Sequence, residues 1–236
     1  MENFKRKASE LGIELTEKQL QQFRQYYDML IEKNKVMNLT AITEWEEVID
    51  KHFIDSISLV KACDLSGEKY VLDLGCGAGF PGIPLKIAFP NLKIVLLDSL
   101  NKRILFLKDV IAELGLENIE ALHGRAEDYA RKPEYREQFD YCVSRAVANL
   151  TTLSEYCIPY VKQGGSFISY KSGKVKEEIK EVKTALFLLG GKMDDMISFE
   201  LPETDMERNF VIIKKEKKTP KKYPRKAGLP GKEPLK

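Results

Sequence analysis

The chain is 236 residues long, 43% hydrophobic and 31% charged, which suits one packed domain with or without an appendage and excludes wholesale disorder. No run approaches the ~18 unbroken apolar residues of a membrane-spanning helix, and MENFKRKASE at the start has charges with no apolar run behind them, so neither a membrane span nor a secretory signal is expected. Net charge is only +2, yet residues 214–236 hold ten Lys/Arg against two Asp/Glu, so the remainder is net acidic.

The four cysteines, Cys63, Cys76, Cys142 and Cys157, form no CxxC pair, which suits a reducing, cytoplasmic setting. His52 and His123 are the only histidines, so no Cys/His metal site is expected.

Residues 1–64 read as helices. Thr16-Glu17-Lys18-Gln19 has capping-box spacing, followed by Leu20, Phe23, Tyr27, Leu30 and Ile31 at helical intervals. A second box, Thr43-Glu44-Trp45-Glu46, predicts a helix with Val48, Ile49, His52, Phe53, Ile57 and Val60 on one face. A histidine on such a face is more often a hydrogen-bonded core residue than a catalyst.

From Lys69 strands alternate with helices: strands at 69–75, 92–98, 118–124, 139–145 and 165–171, and helices near 82–89, 101–114, 126–131 and 149–161. That alternation builds a parallel sheet covered on both faces. A helix near 174–189 and strands near 192–200 and 207–215 follow, the last two forming an antiparallel hairpin. The domain boundaries expected are a helical extension at 1–64, a sheet domain at 65–215 and a basic, Pro-containing tail at 216–236.

VLDLGCGAGFPG (71–82) places Gly75, Gly77 and Gly79 between a buried strand and a helix, at the carboxyl edge where open parallel sheets bind ligands. Gly77–Gly82 formally matches the dinucleotide fingerprint GxGxxG. S-adenosylmethionine fits better. Asp73 offers an acid for a cationic methionine amine, Pro81 and Pro84 lack amides that a pyrophosphate would use, and a dehydrogenase would need a substrate domain for which little chain remains.

Asp98 closes the second strand and can accept from ribose hydroxyls, with Lys102 and Arg103 next. Ala126, Glu127 and Asp128 follow Arg125 where an adenine would lie. Arg145 ends the fourth strand, where methyl group and acceptor would meet. The segment SRAV (144–147) lacks the Asp/Asn-Pro-Pro turn of exocyclic-amine methylation, and Cys142 lies too far inside its strand to serve as a nucleophile. A purine N7 carries no proton, so its methylation needs positioning and no general base. In the tail, KKYPRK (221–226) sets Tyr223 among cations, a pattern suited to phosphate contact and base stacking.

With NKVMNLTAI (34–42), KHFIDS (51–56), DLGCGAGFPGIPL (73–85), LLDSLNKR (96–103), the Arg-Ala-Glu of 125–127, SRAVANL (144–150) and TPKKYPRKAGLPGKEPL (219–235), the chain resembles the glucose-inhibited division protein B family of bacterial 16S rRNA (guanine-N7) methyltransferases. The resemblance implies an α/β fold: a doubly wound, mostly parallel Rossmann-like methyltransferase sheet with a C-terminal antiparallel hairpin and an N-terminal helical extension. It implies a cytoplasmic enzyme that uses S-adenosyl-L-methionine to methylate N7 of one guanosine in the 530 loop of 16S rRNA.

Family cofactor contacts carry over onto Gly75, Phe80, Ala126, Glu127 and Arg145, to which the residue reading adds Gly77, Gly79 and Asp98. Arg145 is also the candidate for acceptor positioning. Candidate RNA contacts are Lys102, Arg103, Arg125, Lys171, Lys221, Lys222, Tyr223 and Arg225. The expected partner is 16S rRNA or a small-subunit precursor, bound by a monomer without metal. A nucleotide-dependent oxidoreductase and a non-catalytic RNA-binding assembly factor are the alternatives.

Overall fold

A computed structural model describes residues 1–145, 148–172 and 175–235. It opens with α1 (Glu2–Glu10) and α2 (Glu17–Met37). The capping box forms at Thr16, whose hydroxyl accepts the Gln19 amide while the Gln19 side chain accepts the Thr16 amide at 2.8 Å. The second box does not form. Glu44 is the last extended residue before α3 (Trp45–Val48), so Thr43 stands one residue too far back for its hydroxyl to cap the first turn.

The segment after α3 also departs from a plain helix. It widens into π turns over Ile49–Ile54 and tightens again through α4 (Asp55–Ile57) into a short 3-10 turn, Ser58–Lys61. Every residue from His52 to Leu59 is buried, where one apolar face was expected. π turns recur at functional sites, and this one carries His52 into the cluster described below.

Seven strands follow: β1 (Tyr70–Leu74), β2 (Lys93–Asp98), β3 (Ile119–His123), β4 (Phe139–Ser144), β5 (Val161–Lys171), β6 (Gly191–Glu200) and β7 (Glu207–Lys215). Their order in the sheet is β3-β2-β1-β4-β5-β7-β6. The first five are parallel; β7 runs antiparallel to β5 and β6. The chain winds outward from β1 to β3, then returns to lay β4 on the other side of β1. The β1/β4 junction is therefore a topological switch point, where such sheets open a ligand crevice.

Strand alternation divides the interior in two. Val71, Ile94, Leu96, Val143 and Ile168 face one core with the N-terminal helices, α5 (Gly82–Ala88) and α6 (Asn101–Glu113). Leu72, Val95, Leu97, Cys142 and Phe167 face the other, with α8 (Leu150–Cys157). A short α7 (Ala126–Tyr129) follows β3. Two boundaries differ from expectation. α8 stops at Cys157 and Pro159, which has no amide to donate, sits in a 3-10 turn, so β5 begins early at Val161. The helix expected over 174–189 is two, α9 (Val175–Glu181) and α10 (Lys183–Leu189); its first expected residue, 174, lies outside the described residues, as do 146 and 147 of the SRAV segment. The tail runs across the body, with Tyr223 buried and a short α11 (Leu229–Lys232). No helix among the described residues is long and apolar enough to cross a membrane.

Candidate active site

The glycine loop after β1 is held from beneath by α2. The Tyr26 hydroxyl donates to the Ala78 carbonyl at 2.6 Å, and the Gln19 side chain donates to the Ile87 and Ala88 carbonyls. Gly75 and Gly77 have left-handed φ of 74° and 59°, which only glycine adopts without strain, and both reach the surface. Gly79 is different. It is buried, and a Cβ there would lie 2.7 Å from Ile83 and 2.8 Å from Leu107. Its left-handed φ of 107° and this close packing each require glycine.

Beside Gly75 opens a cavity of about 430 Å³ whose lining includes Leu74, Asp98, Leu100, Arg125, Ala126 and Glu127. The Asp98 carboxylate accepts the Gly77 amide at 2.9 Å, the Leu100 amide at 2.8 Å and Arg103 at 3.3 Å. A carboxylate offers about four lone-pair positions. Asp98 therefore has room for roughly one ribose hydroxyl rather than both, unless the long Arg103 contact yields. Glu127, also buried, accepts the Gly228 amide at 2.7 Å through Oε1, which leaves Oε2 for a ligand. The Ala126 carbonyl is taken by the Tyr160 hydroxyl at 2.6 Å.

Asp73 is completely buried in β1. Its Oδ2 accepts the Gly82 amide at 2.7 Å, and a Cβ at Gly82 would stand 2.2 Å from Leu96 and 2.9 Å from that oxygen, so this glycine makes the contact possible. Oδ1 is buried and has no hydrogen-bond partner among the described residues. Burial pushes the Asp73 carboxyl up to about 7, against the opposing pull of the Gly82 amide and the Arg145 charge. An orphaned acidic oxygen at the switch point calls for a cationic donor, and the α-ammonium of S-adenosylmethionine is one. Asp73, Asp98 and Glu127 thus end or follow three adjacent strands and fit that cofactor.

A second cavity, of about 580 Å³, is lined by His52, Asp55, Arg145, Tyr170, Lys171 and Arg208 among others. Buried Asp55 bridges two guanidiniums, Arg145 at 2.8 Å and Arg208 at 2.9 Å. Arg145 also donates to the Lys51 carbonyl at 3.0 Å and lies over the Phe80 ring at 5.1 Å. His52 stacks on that same ring, with centroids 4.4 Å apart. Burial and the neighbouring Arg145 charge drive the His52 imidazole down to about 3. Nδ1 lies 3.1 Å from the Lys51 carbonyl and 3.3 Å from an Arg145 nitrogen, and Nε2 lies 2.8 Å from the Thr40 hydroxyl. His52 is therefore a neutral packing and positioning group. Arg145 lines this second cavity, Phe80 packs beneath its His52 and Arg145, and neither lines the first. Arg208 was missed by sequence reading; it sits on β7, 153 positions from Asp55, and nothing local marks it.

The candidate RNA contacts divide. Lys102, Arg125, Lys221 and Lys222 are exposed. Arg103 is tied to Asp98, Lys171 to Glu178 at 2.9 Å, and Arg225 to Glu155 at 2.7 Å. Tyr223, expected to stack on a base, has its ring packed into the α8 core at 6% exposure. Cys142 is fully buried and its thiol is pushed far up by burial, so it is inert. Among the described residues no cluster could hold a metal ion.

Asp98 lends itself to a direct test. Asp98→Ala removes the carboxylate expected to accept from the ribose and frees two loop amides; loss of hydrogen bonds to a charged group costs roughly 1.5–3 kcal/mol. Cofactor affinity by calorimetry should fall about tenfold or more, and an unchanged affinity would place the ribose elsewhere.

Residues 19–211 match the family model described as rRNA small subunit methyltransferase G. The chain belongs to that family. It is 60% identical over 225 residues to the ribosomal RNA small subunit methyltransferase G of Lachnoclostridium phytofermentans, an alignment covering 95% of this chain and 93% of the relative. Among solved structures it resembles a methyltransferase of Bacillus halodurans (TM-score 0.53, 14% identity, 69% of this chain and 99% of that one). It also resembles M. jannaschii TYW2, solved in complex with AdoMet (TM-score 0.51, 16% identity, 67% and 74%). At such identities the likeness is one of fold. Membership of the methyltransferase G family sets aside both the oxidoreductase and the non-catalytic alternative.

Proposed function

We propose that this protein transfers a methyl group from S-adenosylmethionine to N7 of a guanosine in small-subunit rRNA, the 530-loop guanosine implied by the family resemblance, acting as a cytoplasmic monomer. The observation that carries this reading is the juxtaposition of two chambers at one sheet edge. One is lined by the acids Asp98 and Glu127, with the buried Asp73 in β1 beside it, a set suited to a cationic nucleoside cofactor. Among the described residues the other presents Lys51, Arg145, Lys171 and Arg208 against Asp55 and Glu178, a set suited to an anionic polymer.

The cofactor supplies an electrophilic methyl group on a sulfonium centre. Everything else falls to the chain. Asp73 holds the ammonium end, Asp98 the ribose and Glu127 the adenine. Arg145 and Arg208, locked in orientation by Asp55, hold phosphate or the guanine O6 edge, away from the attacking nitrogen. No side chain needs to take a proton, because N7 has none to lose, and neutral His52 agrees with that economy. The exposed cations Lys102, Arg125, Lys221 and Lys222 supply peripheral phosphate contacts.

The test is methylation of small subunits from cells lacking the protein, followed by borohydride and aniline treatment, which cuts at N7-methylguanosine. One new cut, dependent on S-adenosylmethionine, is expected. A methylated product resistant to cleavage would overturn the N7 assignment.

A further inference from the structure

The basic C-terminal segment does not hang free; it is clamped to the wall of the first cavity. Arg136 donates to three of its carbonyls, those of Thr219 (2.8 Å), Tyr223 (3.0 Å) and Pro220 (3.3 Å), and Arg131 donates to that of Pro224 at 2.5 Å. Further on, the Arg225 guanidinium forks onto Glu155 at 3.0 and 2.7 Å, while the Arg225 amide donates to the same carboxylate at 2.8 Å. Glu155 is 1% exposed, so this is a buried charge whose partner among the described residues is Arg225. Thr152 adds a hydrogen bond to the Pro230 carbonyl at 3.2 Å. Three residues beyond Arg225, the Gly228 amide reaches Glu127 at 2.7 Å.

That last contact links two functions. Glu127 lines the cavity, and Tyr156, next to Glu155 on α8, lines it too. The orientation of the Glu127 carboxylate is thus set partly by a segment that is remote in sequence. On its outer face the same segment exposes Lys217, Lys218, Lys221, Lys222, Lys226 and Lys232. The cationic side of the segment faces solvent, and its backbone faces the cavity wall.

We infer that this segment is a positioning element for Glu127, so that docking of the segment and filling of the cavity by cofactor strengthen each other. The inference rests on the cofactor reading above. Its logic is reciprocal: a ligand held by Glu127 favours the docked segment, and whatever favours the docked segment favours that ligand by the same factor. Gly228 adopts a left-handed φ of 81°, with open space where a Cβ would be. Glycine is there to turn the amide toward Glu127, since no neighbour would crowd a side chain.

The experiment is calorimetric titration of S-adenosylhomocysteine into the full-length chain and its R225A, E127Q and doubly substituted forms, without RNA. Arg225 touches Glu155 and the tail, not the cavity, so a loss in R225A must be transmitted. R225A should weaken binding about fivefold or more, the lower end of typical coupling, and should add less than twofold in the E127Q background. In the unaltered protein, hydrogen exchange over 217–235 should slow when S-adenosylhomocysteine is added, a readout that survives even if R225A folds poorly. Wild-type affinity in R225A, equal losses in both backgrounds, or unchanged exchange over the segment would each overturn the inference while sparing the cofactor reading. Failure of S-adenosylhomocysteine to bind the unaltered protein would instead sink the cofactor reading and this inference with it.

Discussion

Asp73→Asn should cost roughly ten- to a hundredfold in cofactor affinity while leaving the sheet intact. The asparagine oxygen can keep the Gly82 amide, so the loop retains its anchor. What disappears is the charge on the orphaned oxygen, and in its place a buried amide presents donors to an ammonium. Hydrogen bonds to charged groups are worth roughly 1.5–3 kcal/mol, which sets the range.

The pH dependence follows with a definite sign. In the free protein the Asp73 carboxyl is raised from 3.8 to about 7, so the native state holds a proton that the unfolded chain has released. This contribution to stability is fully present below about 3.8 and is lost as pH rises through 7. A cation bound at Oδ1 demands the ionised form. Cofactor affinity should therefore rise as pH increases from about 6 to 8, with a proton released on binding, and Asp73→Asn should abolish both effects. Calorimetry in two buffers of different ionisation enthalpy measures the proton directly. An affinity independent of pH would remove Asp73 from the ammonium site.

The second large effect is expected at Arg145. Arg145→Ala removes the guanidinium from the cavity and leaves Asp55 with Arg208 alone. Single-turnover methylation of small subunits should fall at least a hundredfold, the scale on which fixed cationic or donor groups act at reacting centres, while cofactor affinity stays within a few-fold. Lysine should not rescue it. One ammonium cannot serve Asp55, the Lys51 carbonyl and an incoming phosphate in the planar geometry a guanidinium offers. At saturating cofactor the rate should show no rising limb from His52, because an imidazole at about 3 is already neutral throughout the working range. His52→Ala should lower turnover only modestly, through lost packing on Phe80. A normal rate in Arg145→Ala would remove the second cavity from the reaction.

The strand–helix alternation, the hairpin, the Thr16 cap, the glycine turn and its neighbouring acids could be read from the chain, because each is written in local periodicity or in residues adjacent along it. That Asp73, Asp98 and Glu127 come to one edge was legible for the same reason: each lies near or after the end of a strand, and parallel strands deliver such positions together. The close packing that a Cβ at Gly79 would meet is visible only in the fold, since Leu107 and Tyr26 are both distant from it in sequence. The tertiary structure alone brought Arg208 to Asp55 across the sheet, and it alone turned the basic tail from an isolated charge run into a segment pinned by Glu155, Arg136 and Glu127. A run of lysines looks solvated in any linear reading. Its backbone hydrogen bonds, and the buried carboxylates that require them, exist only once the body has folded beneath it.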